Sequence, residues 1–390
     1  MRGMISRLKG WLCLAAASLQ MLSCCMFMIL GTSSCSVHQW PDESTPAALK
    51  LDFVFSTDLP PYLTVDYETK NAVSSESEQE YSFRYTVKFY PRLPDGTFSR
   101  TEAGDYTLVL TKDDLSDLNY STETRLPEGE WQVRCWADYV GKGSTDDLFY
   151  RTSDFSSITL PEPHIANTDR KDAFLGCAEV KLVRVGSRQT PVTARLEMER
   201  PLAKFRFIAT DFEALVTKVM REKMTNEEYA EWLHAMRLEK EAREAAKKAS
   251  DPEPDNSWSP SKAPGFNPSD YYIRFYYTSF MPYVFDIFAN KPIDSRSGVQ
   301  FDSEFTPLSA DEVLMGFDYV LVNGHESSVV VQVALYDRAT NNLLSLSPTI
   351  SVPLTRSKVT TVRGDFLTLS TGGGIGINPE FDGEYNIIIP

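Results

Sequence analysis

The residue types that most often carry out chemistry are few in this chain and lie far apart. None of the four histidines has a second histidine or a cysteine at the spacing typical of metal ligands. They are His38, His164, His234 and His325. The sequence contains no zinc-protease helix, no nucleophile elbow of a serine hydrolase and no phosphate-binding loop. We therefore expect no catalytic residue, no metal site and no cofactor.

Two short segments bear a superficial likeness to ligand-binding loops. Gly141–Ser144 reads Gly-Lys-Gly-Ser but lacks the preceding glycine of a phosphate cradle, so we interpret it as a turn. Asn378–Ile389 begins like a calcium loop, but its twelfth position is Ile389, where a bidentate glutamate is needed. Neither segment predicts a ligand site.

Aromatic residues are abundant and concentrate between Tyr271 and Phe288. Such a cluster has two interpretations, an exposed platform that stacks on sugar rings or a buried core. The dense alternation of Tyr, Phe, Ile and Val favours the core.

One cysteine near the N-terminus has the surroundings of a lipid-attachment site. Basic residues precede the apolar run Trp11–Leu30, and the small residues Gly31–Ser34 then lead to Cys35. This pattern predicts that residues 1–34 are a lipoprotein signal peptide and that the Cys35 thiol carries the lipid. Cleavage at the cysteine pair 24–25 is an alternative, but it would leave Met26–Leu30 exposed. The second alternative is that the apolar run is an uncleaved membrane helix, but the polar residues within the run argue against this interpretation.

After removal of the signal peptide, Cys135 and Cys177 remain besides the lipid-bearing cysteine. An exported compartment permits a disulfide between them. Both lie in apparent strands, where a free buried cysteine is also common. The sequence leaves both states open.

The charge of the chain excludes one class of partner. Lys and Arg number 39 and Asp and Glu 54, which gives a net charge of −15, and no acidic residue precedes Asp42. Because the exported body is acidic, it repels phosphate backbones, and we expect no nucleic acid partner.

The segments that position these residues are mostly strands. Alternating apolar residues from Leu49 to Val185 predict a sandwich of short strands. Thr193–Ala209 reads as one unusually long strand in which Pro201 marks a bulge or a change of sheet. Strand patterns resume at Tyr271 and run to the C-terminus.

The middle of the chain has a helical composition. Thr225 and Glu228 form a capping-box pattern, which predicts a helix that begins near Asn226. Its apolar stripe ends at Leu238, beyond which the helix is charged, and a Pro/Ser-rich linker follows. A partner-binding helix and a simple insertion between β elements are both open, and we favour the insertion.

The sequence thus predicts a mainly β protein of two β-sandwich domains in tandem with a helical insertion between them. The predicted segments are the signal peptide 1–34, a tether 35–48, an N-terminal domain 49–210, the helical insertion and linker 211–269, and a C-terminal domain 270–390.

Three segments carry a resemblance to a known group. They are Cys35–Pro41 after the signal, Glu199–Phe205, and Gly373–Tyr385. They resemble surface lipoproteins of Bacteroidales, which are similar to the fimbrial (type V pilus) superfamily of major, anchor and accessory subunits. The resemblance implies two transthyretin-like sandwiches, no enzyme activity, and a lipid-anchored, surface-exposed place on the outer membrane.

The resemblance also implies assembly by strand exchange, in which a protease that cuts after arginine frees the first strand of a subunit. The candidate first strand is Leu49–Phe55, but the following loop, Ser56–Glu80, contains no arginine. An uncleaved anchor or accessory subunit therefore fits better than a stalk subunit. The donor-strand candidates are Tyr385, Ile387 and Ile389, unless they complete the chain's own sheet.

We therefore expect a fimbrial anchor or accessory subunit whose partners are the outer membrane, through palmitate or related acyl chains, and other fimbrial subunits. The alternative is a surface lipoprotein that binds a glycan.

Overall fold

The structure is a computed structural model. It describes residues 47–55, 81–102, 106–183, 191–249, 263, 265–309, 312–369, 380–381 and 384–389. The predicted signal peptide and Cys35 lie outside these residues.

The described part of the chain is mainly β, as predicted. Its strands are β1 Ala47–Phe55, β2 Tyr81–Pro91, β3 Thr107–Lys112, β4 Tyr120–Leu126, β5 Gly129–Gly141, β6 Ile158–Thr159, β7 Ala173–Leu182, β8 Val192–Met198, β9 Leu202–Ala209, β10 Tyr271–Tyr277, β11 Met281–Asp286, β12 Lys291–Arg296, β13 Gln300–Ser303, β14 Thr306–Pro307, β15 Val313–Leu321, β16 Glu326–Asp337, β17 Leu343–Leu346, β18 Ile350–Thr355, β19 Val359–Gly364, β20 Glu380–Phe381 and β21 Glu384–Ile389. The helices are α1 Phe212–Lys223 and α2 Asn226–Ala249.

The first half of the chain forms two sheets, with strand orders β4-β1-β8 and β3-β2-β5-β7. Alternate residues of β1 are buried, which follows from the period-two pattern of a strand, whereas β2 is buried on both faces from Ser82 to Tyr90. Phe53 and Tyr85 meet between the sheets, with ring centroids 4.8 Å apart. A Cβ atom on Gly176 of β7 would lie 2.6 Å from Met198 Sδ, so this glycine permits the close approach of β8.

The segment 193–209 changes sheet at Pro201 and does not bulge. β8 pairs with β1, whereas β9 pairs with β15 and β19 in the second half of the molecule. The long strand expected here is therefore two strands, because proline cannot donate to a ladder and the chain turns into another sheet. Hydrogen bonding joins β9, which lies within the range expected for the first domain, to strands of the second half.

The second half forms a six-stranded sheet, β14-β15-β9-β19-β21-β20, and a sheet in which β16 pairs with β10 on one edge and with β17 and β18 on the other. Phe207 and Phe275 pack between these sheets, with ring centroids 5.4 Å apart. A small sheet, β12-β11-β6, contains strands from both halves.

Between β9 and β10 the described residues include the α-helices α1 and α2. The predicted capping box is present, because the Thr225 amide donates to Glu228 Oε2 at 2.9 Å and the Glu228 amide donates to Thr225 Oγ1 at 3.3 Å. Trp232 and Met236 of α2 are buried, while Leu238 is 53% exposed. Among the predicted stripe residues Leu238 is therefore not buried, and the stripe ends earlier than predicted. No helix within the described ranges is long and apolar enough to cross a membrane.

Candidate functional site

The histidines that the structure describes are not brought together. Among the described residues, no group of three or more His, Cys, Asp or Glu side chains is arranged to hold a metal ion. Gly141–Ser144 forms the expected turn, in which the Ser144 amide donates to the Gly141 carbonyl at 3.0 Å. Asn378 and Asp382 of the calcium-like segment lie outside the described residues.

Cys135 and Cys177 are free thiols, so the disulfide left open by the sequence is not formed. Cys135 pairs with Gly176 and Cys177 pairs with Arg134, which puts the two cysteines one residue out of register on neighbouring strands. Because successive side chains of a strand point to opposite faces, the two thiols face away from each other. Cys135 is buried, and Cys177 is exposed.

The candidate first strand, β1, lies in the centre of its sheet. It pairs antiparallel with β4 along Ala47–Phe53 and parallel with β8 along Leu49–Phe55. Leu49, Leu51 and Phe53 are at most 1% exposed. Burial of one such side chain contributes about 1.5–3 kcal/mol, so these apolar contacts and two hydrogen-bonded edges hold β1 in place.

A short segment between β6 and β7, Glu162–Asp172, joins the two halves through buried polar contacts; we call it the connector. The backbone N–H of Asn167 donates to the Phe317 carbonyl at 3.0 Å, and the backbone N–H of Phe317 donates to Asn167 Oδ1 at 2.9 Å. A Cβ atom on Gly316 would lie 3.0 Å from Asn167 Oδ1, and Gly316 has a φ of 157°. Glycine at this bulge of β15 therefore permits the connector to approach the strand.

Asp318 of β15 is the centre of a buried charge cluster that the connector completes; we call it the Asp318 cluster. Lys171 Nζ lies 2.6 Å from Asp318 Oδ1, and His164 Nε2 lies 2.7 Å from Asp318 Oδ2. The Tyr277 hydroxyl of β10 donates to Asp318 Oδ2 at 2.6 Å. The side chains of Lys171 and Asp318 are at most 1% exposed, which leaves no room for a substrate.

Burial and the neighbouring charged groups determine the pKa values in the Asp318 cluster. Burial acts to raise the pKa of Asp318, but Lys171 and His164 outweigh it and lower this pKa to about 2. Burial lowers the pKa of His164, and the charge of Lys171 lowers it further against the opposing effect of Asp318. We therefore expect a carboxylate that accepts from a neutral His164, the Nε2–H tautomer, and from Lys171.

Further ion pairs continue along the connector. Asp169 accepts from Lys204 Nζ at 2.6 Å and from the Tyr319 hydroxyl at 2.7 Å. Asp172 pairs with Arg200 at 2.8 Å, with both side chains at most 3% exposed. Sequence reasoning missed this network. A signal was present, because four charged residues, Asp169–Asp172, stand together between apolar strands and a lone aspartate lies within β15.

The aromatic cluster of β10 divides between two faces of its sheet. Tyr271, Ile273, Phe275 and Tyr277 are buried in the core, as the favoured interpretation predicts. Tyr272, Arg274 and Tyr276 occupy the alternate positions and lie on the outer face. There Tyr272, Arg274, Asp302, Ser303, Glu304 and Arg338 line a cavity of about 420 Å³, which we call the outer-face cleft.

The donor-strand candidates lie in β21, for which the structure describes the backbone. Tyr385 pairs with Thr360, Ile387 with Val362 and Ile389 with Gly364, all in parallel with β19. On its other edge β21 meets the two-residue strand β20. β21 therefore takes part in the chain's own sheet, and its donation to a neighbour stays a prediction.

The fold and the described residues define a mainly β protein whose two halves are tied by a charged connector. The chain belongs to the family described as "Family of unknown function (DUF6562)", which matches residues 43–390. No curated protein matches it.

Similar solved structures include the fimbrial anchor protein Mfa2 from Porphyromonas gingivalis, at 10% identity and a TM-score of 0.36 over 77% of this chain and 82% of that one. A fimbrial assembly protein from Parabacteroides distasonis ATCC 8503 is 10% identical, with a TM-score of 0.30 over 82% and 91%. The tip fimbrial protein Mfa3 from P. gingivalis, with a C-terminal truncation, is 10% identical, with a TM-score of 0.31 over 78% and 81%. The resemblance to fimbrial proteins expected from the sequence is confirmed, but likenesses this distant assign no role.

Proposed function

We propose that this chain is a non-catalytic surface lipoprotein that serves as an anchor or accessory subunit of a fimbrium. Removal of residues 1–34 leaves Cys35 at the N-terminus, where lipid holds the protein on the outer membrane with its body outside the cell. The charge and motif content of the sequence support a structural role, since no motif for catalysis is present.

The position of β1 carries this proposal. Strand exchange needs an open groove in which a neighbour's strand can pair and bury alternate side chains. A subunit that keeps β1 in the centre of its sheet, with its inner face buried, has no such groove between β4 and β8. It therefore ends a row of subunits and does not extend it, which is the task of an anchor or accessory subunit. The loop Ser56–Glu80, without arginine, supports retention of β1.

The proposed contact to the fimbrium is the C-terminal strand. Tyr385, Ile387 and Ile389 alternate along β21, as a donor strand requires. Donation would require β21 to leave its pairing with β19. A closed groove together with this one strand to donate then gives the chain a single junction with its neighbour.

The experiment is a pull-down of the intact protein from gently solubilised native outer membranes, followed by mass spectrometry. We expect fimbrial subunits to co-purify and the mature chain to begin at Cys35 with β1 attached. Ile387→Asp should abolish co-purification, whereas the control Ile388→Asp, at the next strand position, should leave more of it. Recovery of the protein alone, or a mature chain that begins after Phe55, would overturn the proposal.

A further inference from the structure

The outer-face cleft has features of a binding site that the fimbrial role does not use. Arg274 and Asp302 are partners across β10 and β13, while Arg338 follows β16 and Glu304 follows β13. These groups converge on one side of a single sheet. The cavity of about 420 Å³ lies within the range of about 300–1,000 Å³ common for small-molecule sites.

The charges of the cleft balance in pairs. Arg274 binds Asp302 through two contacts, Nε to Oδ1 at 2.6 Å and Nη2 to Oδ2 at 2.8 Å. Arg338 Nη2 lies 2.9 Å from Glu304 Oε1. An anionic ligand would have to displace a carboxylate from its guanidinium, and a cationic ligand would have to displace a guanidinium. A neutral ligand meets neither obstacle.

These two ion pairs contribute little to the stability of the fold. The side chains of Asp302 and Glu304 are 51% and 70% exposed, and exposed ion pairs contribute about 0–1 kcal/mol. Instead, the pairs place acceptor oxygens directly beside donor nitrogens on an open surface.

Tyrosine rings hold the two guanidiniums in place. Tyr272 and Tyr336 stack with ring centroids 5.1 Å apart and an interplanar angle of 8°. The Arg274 guanidinium lies 5.2 Å from the Tyr272 centroid, and that of Arg338 lies 5.7 Å from the same ring. Because Tyr336 also shares a 2.8 Å hydrogen bond with the Tyr276 hydroxyl, the polar wall is preorganised, which lowers the entropic cost of binding.

We propose that the outer-face cleft binds a short neutral saccharide. Sugar hydroxyls both donate and accept, so neighbouring hydroxyls can bind a carboxylate and a guanidinium at once. The half-buried rings of Tyr276 and Tyr336 add apolar surface beside this wall. The inference is independent of the fimbrial role, since the cleft involves neither β1 nor β21.

The test measures binding of the chain from Ser36 to Pro390 by titration calorimetry and saturation-transfer NMR. The probes are lactose, maltose, cellobiose and mannobiose, with sialyllactose as the anionic counterpart of lactose. We expect at least one neutral disaccharide to bind and lactose to bind no more weakly than sialyllactose. Asp302→Asn and Arg338→Ala should each weaken binding about tenfold or more.

The matched control is Glu326→Gln, which changes an exposed carboxylate elsewhere on β16 and should leave the affinity unchanged. An unchanged melting temperature identifies the cleft variants as folded. Failure of all four neutral sugars to bind, stronger binding of sialyllactose than of lactose, or equal affinities of Asp302→Asn and the wild type in a folded protein would overturn the proposal. None of these outcomes bears on the fimbrial pull-down.

Discussion

At the scale of single residues, the Asp318 cluster is where electrostatics and folding are most strongly linked. Lys171 and Asp318 are both removed from water, and each is compensated by the other and by short hydrogen bonds. A buried ion pair of this kind contributes little over a well-packed apolar pair, but the loss of one partner leaves an unpaired buried charge.

Asp318→Asn should therefore lower the free energy of unfolding by about 3–5 kcal/mol, because the buried Lys171 loses its counter-ion and must either stay charged in the core or give up its proton. Urea denaturation measures the change. Asp294→Asn, which neutralises an exposed aspartate of β12, should change it by less than about 0.5 kcal/mol. Equal effects of the two substitutions would mean that the buried pair is not formed.

The same cluster predicts a loss of stability in acid. The pKa of His164 is lowered in the folded state, so the unfolded chain binds the additional proton more readily as the pH falls through about 6.5. The pKa of Asp318 is lowered to about 2, so its contribution is present above about 3.8 and disappears as the pH falls towards about 2. His164→Gln should flatten the decline between pH 7 and pH 5 in a series of urea titrations. An unaltered slope would contradict a neutral, buried His164.

The two cysteines should differ in reactivity. Burial raises the pKa of both thiols, but Cys177 is accessible and Cys135 is not. In a chain that begins at Ser36, a thiol reagent should label Cys177 slowly in the native protein and Cys135 only after unfolding. Cys177→Ser should abolish native labelling, while Cys135→Ser should retain it. Protection of both thiols that is reversed by a reductant would instead indicate a disulfide.

At the scale of elements, sequence patterns predict those strands, helix ends and breaks that depend on neighbouring residues. The alternation in β1, the capping box of α2 and the break at Pro201 each depend on residues close in sequence, and each is present in the structure. The Asp318 cluster depends on contacts between His164 and a strand some 150 positions later. The spacing of apolar residues along the sequence does not predict such a contact. The outer-face cleft was missed for the same reason, since Asp302 reaches it from β13 and Arg338 from the residue after β16.

Leu51 offers a test of how firmly β1 is held. Leu51→Ala should lower the free energy of unfolding by about 2–5 kcal/mol, because the cavity it leaves lies between two packed sheets. Lys50→Ala, on the outer face of the same strand, is the matched control and should cost less than about 1 kcal/mol. Similar losses for both, in thermal or chemical denaturation, would show that the inner face of β1 is not the face that stabilises it.

At the scale of the whole molecule, the connector and the small sheet β12-β11-β6 join the two halves of the described chain. We expect a single cooperative transition in calorimetry, with the calorimetric and van't Hoff enthalpies in agreement. Asp318→Asn should broaden or split this transition, since it removes a contact between the halves. Two separate transitions in the wild type would mean that the halves fold independently of the connector.

The change of sheet at Pro201 has a mechanical consequence. β1 and β8 run in parallel. A force applied at the N-terminal end of β1 is therefore opposed at the C-terminal end of β8, where Glu199–Pro201 connects β8 to β9. A ladder pulled lengthwise in this way is loaded in shear, and its hydrogen bonds share the force and do not open one by one. A protein tethered by its N-terminus would then resist extension through its sheets and not through its loops. Single-molecule pulling from Ala47 should meet a high rupture force, reduced by Leu51→Ala but not by Lys50→Ala.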